Sequence, residues 1–490
     1  MPIGEGPAED GWRGSLMPYL KDEVEFFPHQ IDGIRTLAEW KSFISADDMG
    51  LGKSLQAITV FAMDAFLGWA NTAIVICPTT LKGNWEEEFI KFTNIPTVTL
   101  EGTPDERAQI LAKFSALTGV KVLIVNYEQV PKILPWINAQ KFHVAIFDEA
   151  HYIKNPKSKR TQAALAVEAH RNFMLTGSPL LNNVNELWPL LHKVSPEAYP
   201  DYWRFVNKYC QKGGYEGRQI TGVKNEKLLH SNLKEVMLRR LKRDVLKLKE
   251  PFYIDRFVDL TPAQRALYDQ AVNDLELPDP NETDPRLIDN ALVEFNYLRQ
   301  ICGTSFAFDG QDNSAKNDLA IPDAQELIQN DNKIVVFSQD LNMMTSYIER
   351  AKAVMPGLPI FRLDGSVNIR DRVPLVNSVG QIKTSPAILV CNINVAGVGL
   401  NMTWSKWCQF LDELFVPALN RQGVDRLNRI GQQEEEPVSV LRYIARNTKD
   451  QRIAEILKIK MRVEKDVIDA TTDMKRDLFN LIQSKQKVAA

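Results

Sequence analysis

Short continuous apolar runs recur along the chain, each followed by a polar loop and then by residues with helical spacing. A first series lies at 73–77, 122–125, 144–147 and 173–175, and a second at 334–337, 360–363, 387–390, 408–411 and 438–441. Continuous apolar strands that alternate with helices are typical of parallel sheets covered on both faces. The pattern therefore predicts an α/β fold with two parallel sheets. Ligands of such sheets bind at the carboxyl ends of the strands, so chemistry is expected directly after each run.

The stretch Ala-Asp-Asp-Met-Gly-Leu-Gly-Lys-Ser at 46–54 has the character of a phosphate-binding loop. It follows an apolar pair at 43–44 and leads into an amphipathic helical pattern. Gly50 and Gly52 let the backbone turn sharply and direct N–H groups at one anion, at the start of a helix. Lys53 can reach the β- and γ-phosphates, and the Ser54 hydroxyl can bind Mg²⁺. The strict pattern GxxxxGK[ST] is not met, because Asp47 occupies its first glycine position. The stretch alone is therefore also compatible with an ordinary loop.

A pair of acids follows the apolar run at 144–147. Asp148 is placed at the tip of a buried strand, where a carboxylate can hold Mg²⁺, and Glu149 can deprotonate an attacking water. Acids that only cap the next helix are the alternative. A buried strand that ends in Asp-Glu downstream of a Lys-Ser phosphate loop favours the nucleotide site.

Three further sets of residues have both a structural and a functional interpretation. Gln30 can read an adenine edge or can be a solvated loop residue. Arg426 and Arg429 are three residues apart, so on a helix they share a face, either as a surface pair or as charges for a γ-phosphate. The basic residues between 239 and 249 fit a solvated helix face, a nuclear import signal, phosphate contacts or a brace between lobes.

Composition sets broad limits on the class of protein. The chain has 490 residues, which suggests roughly three structural units. Its 59 Lys and Arg residues against 62 Asp and Glu give a net charge of −3, so bulk charge does not favour a nucleic-acid binder, although a local basic stripe would suffice. The five cysteines are scattered, which argues against a zinc site or a disulfide framework. No signal pattern or apolar run of about 18 residues is present. We expect an intracellular protein, cytoplasmic in a bacterial or phage-infected cell or nuclear in a eukaryote.

Several stretches resemble the Swi/Snf-type DNA translocase family of superfamily-two helicases. ADDMGLGKS and FDEAHYIKN resemble its motifs I and II, FPHQIDG its adenine-reading motif and PTTLKGNWEEEF its motif Ia. NYE is similar to a DNA-facing loop, and LTGSPLLNNVNELWPLL to motif III with its extension. NVAGVGLN and QGVDRLNRIGQ resemble motifs V and VI. The resemblance extends over about residues 25 to 460.

The resemblance implies two RecA-like lobes with helical insertions between them. The expected organisation is a flexible leader at 1–24, a first, ATP-binding lobe at 25–195, a helical linking region at 196–330, a second lobe at 331–475 and a tail at 476–490. It also implies an ATP-dependent translocase on double-stranded DNA that works as a monomeric motor, without a membrane association and with ATP and Mg²⁺ as its ligands.

The resemblance further implies a role for individual residues. Catalysis is expected from Lys53, Asp148, Glu149, Arg426 and Arg429, and Mg²⁺ binding from Ser54 and Asp148. The nucleotide is expected to contact Gln30, Asp48, Met49, Gly50, Leu51, Gly52, Lys53, Ser54, Gly399 and Gln422. DNA is expected to contact Thr79, Lys82, Ser338, Gln339, Gly365, Ser366 and Asn394.

Two other functions remain to be distinguished. One is a helicase that separates strands, and the other is a DNA clamp that no longer hydrolyses ATP. The clamp is disfavoured because all five expected catalytic residues are present, whereas a clamp would be free to lose at least one.

Overall fold

Two parallel β-sheets organise the residues that the computed structural model describes. These residues are 19–179, 183–213, 219–245, 249–280, 286–288, 291–329, 332–382, 386–396, 400–414, 416–429, 437–455 and 457–458. The chain divides into two units, one up to Val245 and the other from Leu246 onward. Each unit has one of the two sheets. The division falls inside the segment predicted as a linking region, and the other predicted domain boundaries stay predictions.

The sheet of the first unit has seven strands in the order β3-β4-β2-β5-β6-β1-β9, and all neighbours are parallel. The strands are β1 (Phe43–Ser45), β2 (Thr72–Cys77), β3 (Thr97–Thr99), β4 (Lys121–Asn126), β5 (Val144–Phe147), β6 (Arg171–Leu175) and β9 (Met237–Leu238). A separate antiparallel hairpin consists of β7 (Cys210–Gly213) and β8 (Gln219–Val223).

Helices connect the strands of the first unit. They are α1 (Pro28–Glu39), α2 (Lys53–Phe66), α3 (Lys82–Phe92), α4 (Pro104–Ala116), α5 (Val130–Gln140), α6 (Lys159–Leu165), α7 (Trp188–Val194), α8 (Tyr202–Tyr209), α9 (Glu226–Leu233) and α10 (Lys242–Val245). Short 3-10 helices lie at Thr79–Leu81, Ala150–Ile153 and Val184–Leu187.

The sheet of the second unit has six strands in the order β10-β17-β16-β13-β15-β14, again with all neighbours parallel. The strands are β10 (Phe252–Val258), β13 (Lys333–Ser338), β14 (Ile360–Leu363), β15 (Ala387–Asn392), β16 (Trp407–Phe410) and β17 (Ser439–Ala445). An antiparallel pair consists of β11 (Glu276–Leu277) and β12 (Arg286–Leu287). The helices are α11 (Pro262–Asn273), α12 (Ala291–Gly303), α13 (Phe306–Asp309), α14 (Ala315–Ile328), α15 (Leu341–Val354), α16 (Ile369–Gln381), α17 (Ile393–Ala396) and α18 (Pro417–Asp425).

Successive side chains of β13 pack into two different apolar cores. Val335 and Phe337 belong to one core, and Ile334 and Val336 to the other, so both faces of this sheet are covered. The predicted fold class, α/β with two RecA-like parallel-sheet lobes, is confirmed.

The extent of the second sheet was predicted incompletely. The second sheet was predicted to begin at residue 334, but it also includes β10, which the prediction missed.

No helix in the described part of the chain is long and apolar enough to cross a membrane. Most of the predicted leader, the tail at 476–490 and Gly399 lie outside the described residues.

Candidate functional site

The loop between β1 and α2 has the backbone geometry of an anion cradle. Gly50 and Gly52 have φ angles of 84° and 78°, in the left-handed region. A Cβ on Gly52 would lie 2.2 Å from Nε2 of Gln30, so a larger residue would have to displace the Gln30 amide. Gln30 itself donates from Nε2 to the Leu51 carbonyl oxygen at 3.3 Å. The predicted adenine-reading residue is therefore in contact with the phosphate loop.

Other predicted nucleotide contacts lie in and beside this loop. Leu51 is fully buried, whereas Asp48, Met49 and Ser54 are half-buried. A Cβ on Gly177, just after β6, would lie 2.7 Å from Cγ of Met49, so the loop packs closely on the next strand connection.

Lys53 begins α2 and its ammonium lies within the loop. Nζ donates to the carbonyl oxygens of Asp47 at 2.7 Å and Asp48 at 3.1 Å. Burial lowers the pKa of Lys53, while the carboxylates of Glu149, Asp47 and Asp148 act in the opposite direction. Lys53 Nζ lies 3.6 Å from the position of a Cβ on Gly177, which follows β6, and β6 lies between β1 and β5, so the lysine and the acid pair, predicted separately, belong to one site.

Asp148 and Glu149 follow β5 at its carboxyl end. Oδ2 of Asp148 accepts from Nε1 of Trp85 at 2.8 Å, and Oδ1 accepts from the Glu149 N–H at 2.9 Å. Burial and the neighbouring Glu149 raise the pKa of Asp148 to about 6. Glu149 has a φ of 47°, which is unusual for a residue with a side chain and is typical of a constrained functional turn. Its Oε2 lies 3.3 Å from Nδ1 of His151, which also lies 3.3 Å from Oγ1 of Thr176.

The predicted DNA contacts of the first unit lie after β2. Thr79 is exposed and accepts from Nδ2 of Asn126 at 3.1 Å. Lys82 begins α3 and donates from Nζ to the Leu100 carbonyl oxygen at 2.8 Å.

In the second unit the predicted DNA contacts follow three neighbouring strands. Gly365, Ser366 and Asn394 are exposed, and the Ser366 hydroxyl donates to Oδ1 of Asp364 at 2.6 Å. Ser338 is fully buried and donates to the Asp340 carbonyl oxygen at 3.3 Å. Gln339 is half-buried and donates to the Glu413 carbonyl oxygen at 3.1 Å. A side-chain contact with DNA is therefore expected from Gln339 rather than from Ser338.

Arg426 and Arg429 do not lie on one helix, so the shared helix face that their spacing would give on a helix is not formed. Helix α18 ends at Asp425, and the carbonyl oxygen of Arg426 accepts from the Met402 N–H at 2.9 Å instead of continuing the helix. Arg426 is 7% exposed, whereas Arg429 is half-buried and donates from Nη1 to the Leu400 carbonyl oxygen at 3.4 Å. Gln422 is buried in α18, and its side-chain amide nitrogen has no hydrogen-bond partner among the described residues.

Comparison with protein families now adds a second line of evidence. The SNF2-related domain matches residues 29–306, which is more than half of the chain. The chain belongs to the SNF2-related family. The match includes the phosphate loop, the Asp148-Glu149 pair and the two basic residues that follow β9.

Relatives of this SNF2-related chain carry names that refer to ATP and to chromatin. An uncharacterised ATP-dependent helicase of Mycoplasma pneumoniae is 29% identical over 90% of the chain and 41% of its own length. The ISWI chromatin-remodeling complex ATPase ISW2 of Saccharomyces cerevisiae is 27% identical over 93% of the chain and 42% of its length. The chain thus spans about two fifths of the length of these relatives. The chain also matches a solved structure, the Sulfolobus solfataricus SWI2/SNF2 ATPase core in complex with dsDNA. This match covers 96% of our chain and 97% of the Sulfolobus chain, with 23% identity and a TM-score of 0.43.

The SNF2-related site also contains an arginine that sequence reasoning did not connect with the phosphate loop. Asp47, which replaces the first glycine of the strict pattern, is fully buried. Oδ1 of Asp47 accepts from the N–H of Arg240 at 3.0 Å and from its Nε at 3.1 Å, and Nη2 of Arg240 pairs with Oδ2. Arg240 also donates from Nη2 to Oε1 of Gln56 at 2.8 Å and from Nη1 to the His29 carbonyl oxygen.

Its neighbour Arg239 contacts the same loop. Nη1 of Arg239 lies 3.0 Å from Oδ1 of Asp48 and 2.6 Å from the Ala46 carbonyl oxygen. These two members of the basic run therefore brace the phosphate loop and do not form a solvated helix face. In the sequence, the sign of this contact is the short apolar pair Met237-Leu238 directly before the two arginines, because this pair forms β9, the strand beside β1.

The donor set of this SNF2-related site fits Mg²⁺. The Asp148 carboxylate and the Ser54 hydroxyl are oxygen ligands, the class that Mg²⁺ prefers. Among the described residues no group of three or more His, Cys, Asp or Glu side chains could enclose a metal. In nucleotide sites, Mg²⁺ is usually bound by one or two carboxylates together with substrate phosphates.

Proposed function

We propose that the chain hydrolyses ATP to move along double-stranded DNA without separating its strands. The observation that carries the proposal is the convergence of Lys53, Asp148 and Glu149 on one phosphate-loop site, in a chain of the SNF2-related family. The names of the relatives support ATP use, and the exposed polar loops after the strands of both sheets offer surfaces for a nucleic acid.

In the proposed mechanism, the N–H groups of the loop at 48–54 bind the phosphates of ATP. The Lys53 ammonium moves from the Asp47 and Asp48 carbonyl oxygens to the β- and γ-phosphates. Gln30, already in contact with Leu51, reads the adenine. Asp148 and Ser54 would hold Mg²⁺, which supplies positive charge to the phosphates when bound.

Glu149 accepts a proton from the water that attacks the γ-phosphorus. The bond between that phosphorus and the bridging oxygen breaks, which gives ADP and phosphate. We propose that Arg426 and Arg429 add positive charge as negative charge develops. DNA is proposed to contact Thr79, Lys82, Gln339, Gly365, Ser366 and Asn394, with Ser338 acting only through the fold of its loop.

Hydrolysis assays with different nucleic acids test this proposal. ATP turnover of the full chain is measured without nucleic acid and with single-stranded, duplex and forked DNA, and again in Glu149→Gln. We expect strong stimulation by duplex and its loss in Glu149→Gln. Glu349→Gln, an exposed position on α15, is the matched control and should behave as the parent chain.

A strand-separating helicase is the second candidate, because two relatives are named ATP-dependent helicases. Displacement of a third strand from a triplex, without release of a labelled strand from a fork, supports translocation. Release of the forked strand would support the helicase. Duplex binding without hydrolysis under any condition would contradict both and leave a clamp.

A further inference from the structure

Two loops of the first unit form one hydrogen-bonded cluster, and they are the loop proposed to contact DNA through Thr79 and the loop that resembles a DNA-facing loop of the family. The first follows β2, and the second begins at the last residue of β4, Asn126, and includes Glu128. Nδ2 of Asn126 donates to Oγ1 of Thr79 at 3.1 Å and to Oε2 of Glu128 at 2.8 Å. The Thr79 hydroxyl donates to the same Oε2 at 3.4 Å. Thr79 and Glu128 are exposed and hydrogen-bonded to each other, so a ligand that binds one loop also changes the surroundings of the other.

Two buried aromatic side chains close to these loops donate hydrogen bonds to Asp148. Trp85 lies in the first turn of α3 and is 2% exposed, and its Nε1 donates to Oδ2 of Asp148 at 2.8 Å. Tyr127 directly follows Asn126 and is fully buried, and its hydroxyl donates to the carbonyl oxygen of Asp148 at 2.8 Å. One bond orients the carboxylate, and the other fixes the backbone that carries it.

A second set of contacts joins the same cluster to the segment after Glu149. The Tyr127 ring stacks on Tyr152 with centroids 5.8 Å apart and an interplanar angle of 13°. The guanidinium of Arg160 lies 5.4 Å from the Tyr152 ring centroid, and its Nη2 is 3.0 Å from Oε1 of Glu128. These packed rings and hydrogen bonds connect both loops to Asp148 and oppose independent movement of the three segments.

We propose that Trp85 and Tyr127 are positioning residues that transmit the engagement of DNA at these loops to Asp148. They would thereby set the ratio of DNA-stimulated to basal ATP hydrolysis. This inference rests on the proposed function, since it requires hydrolysis that responds to duplex. A purely structural role, in which the two donors only satisfy buried acceptors, would lower basal and stimulated hydrolysis together and leave the ratio unchanged.

The test uses Tyr127→Phe and Trp85→Phe in the full chain. For each variant, kcat and the KM for ATP are measured without DNA and with saturating duplex, and the Kd for duplex is measured separately. We expect the ratio of stimulated to basal kcat to fall, by roughly fivefold for the neutral bond of Tyr127 and roughly ten- to hundredfold for Trp85, whose acceptor is charged. The KM for ATP and the Kd for duplex should stay close to those of the parent chain.

Tyr347→Phe is the matched control. Tyr347 is also a fully buried tyrosine, and its hydroxyl donates at 2.8 Å to Oε1 of Gln409 in the second unit. It should leave the ratio unchanged. If Trp85→Phe does not fold, Tyr127→Phe, which loses a single oxygen atom, decides alone.

An unchanged ratio in Tyr127→Phe would overturn the inference. A parent chain that hydrolyses ATP without any response to duplex would instead overturn the proposed function. The two failures are therefore distinguishable.

Discussion

At the scale of single residues, Asp47 explains why the phosphate loop departs from the strict glycine pattern. The buried carboxylate is paired with Arg240, and Arg240 in turn contacts Gln56 and the backbone of His29. A buried charge is tolerated only with such partners, because removal from water costs several kcal/mol per ion. The substitution of glycine by aspartate thus ties the loop to the start of α1 and to the segment after β9.

Loss of this arginine should destabilise the first unit. In Arg240→Met, Asp47 becomes an unpaired buried charge, and we expect the free energy of unfolding to fall by about 3–5 kcal/mol. Urea denaturation followed by circular dichroism measures it. Arg35→Met is the control, because Arg35 and its partner Asp32 are exposed and 3.9 Å apart, and such a pair contributes at most about 1 kcal/mol.

A second substitution checks the cause. Asp47→Asn in the Arg240→Met background should recover part of the loss, since it removes the unpaired charge. An Arg240→Met variant as stable as Arg35→Met would show that Asp47 does not depend on this pair.

At the scale of elements, apolar continuity predicted the strands well where both faces are buried. The run at 144–147 coincides with β5, and the run at 387–390 lies within β15, and both strands are buried along their whole length. β10 was missed because it is an edge strand whose sequence, Phe-Tyr-Ile-Asp-Arg-Phe-Val, mixes apolar and charged residues, and Phe252 is 61% exposed. The end of α18 was missed because spacing alone does not show that the Arg426 carbonyl accepts from Met402. Glycines and strand-end acids identify the phosphate loop and the acid pair, whereas Arg240 and Trp85 reach the site only through the fold.

The turn into α2 allows strain and steric fit to be separated. Gly52 and Gly68 have similar φ angles, 78° and 74°, but a Cβ would collide with Gln30 only at Gly52 and would meet nothing within 4 Å at Gly68. Alanine at either position carries the left-handed cost of about 1–2 kcal/mol. We expect Gly52→Ala to weaken binding of a fluorescent ATP analogue by at least about tenfold, equivalent to about 1.4 kcal/mol, because it displaces the Gln30 amide. Gly68→Ala should bind the analogue as the parent chain does, and equal losses in both variants would refute a role of the Gln30 contact.

At the scale of the whole molecule, most of the predicted phosphate, metal and DNA contacts of both units lie at the carboxyl ends of parallel strands. In the first unit they come after β1, β2 and β5, and in the second after β13, β14 and β15. This is the edge where parallel sheets bind ligands, and such residues are found there in both units, although the sequence has a phosphate-loop motif in the first unit only. Because the net charge is −3, the proposed binding of a duplex has to rest on local sites rather than on the overall electrostatic field.

If the second unit supplies charge to the phosphates, hydrolysis should depend on its arginines while ATP binding should not. An arginine that acts only on the transition state contributes roughly 10³–10⁵ in rate, so we expect Arg429→Gln and Arg426→Gln each to lower kcat by at least about 10³ with little change in the KM for ATP. Arg446→Gln is the control, because Arg446 is exposed and its Nη1 pairs with Asp259 at 3.1 Å. Circular dichroism must show an intact fold, above all for Arg426, which is 7% exposed. A kcat within tenfold of the parent chain in both variants would contradict this role. Lys53 would then be the side chain that supplies positive charge to the phosphates, and the second unit would keep only its proposed contacts with DNA.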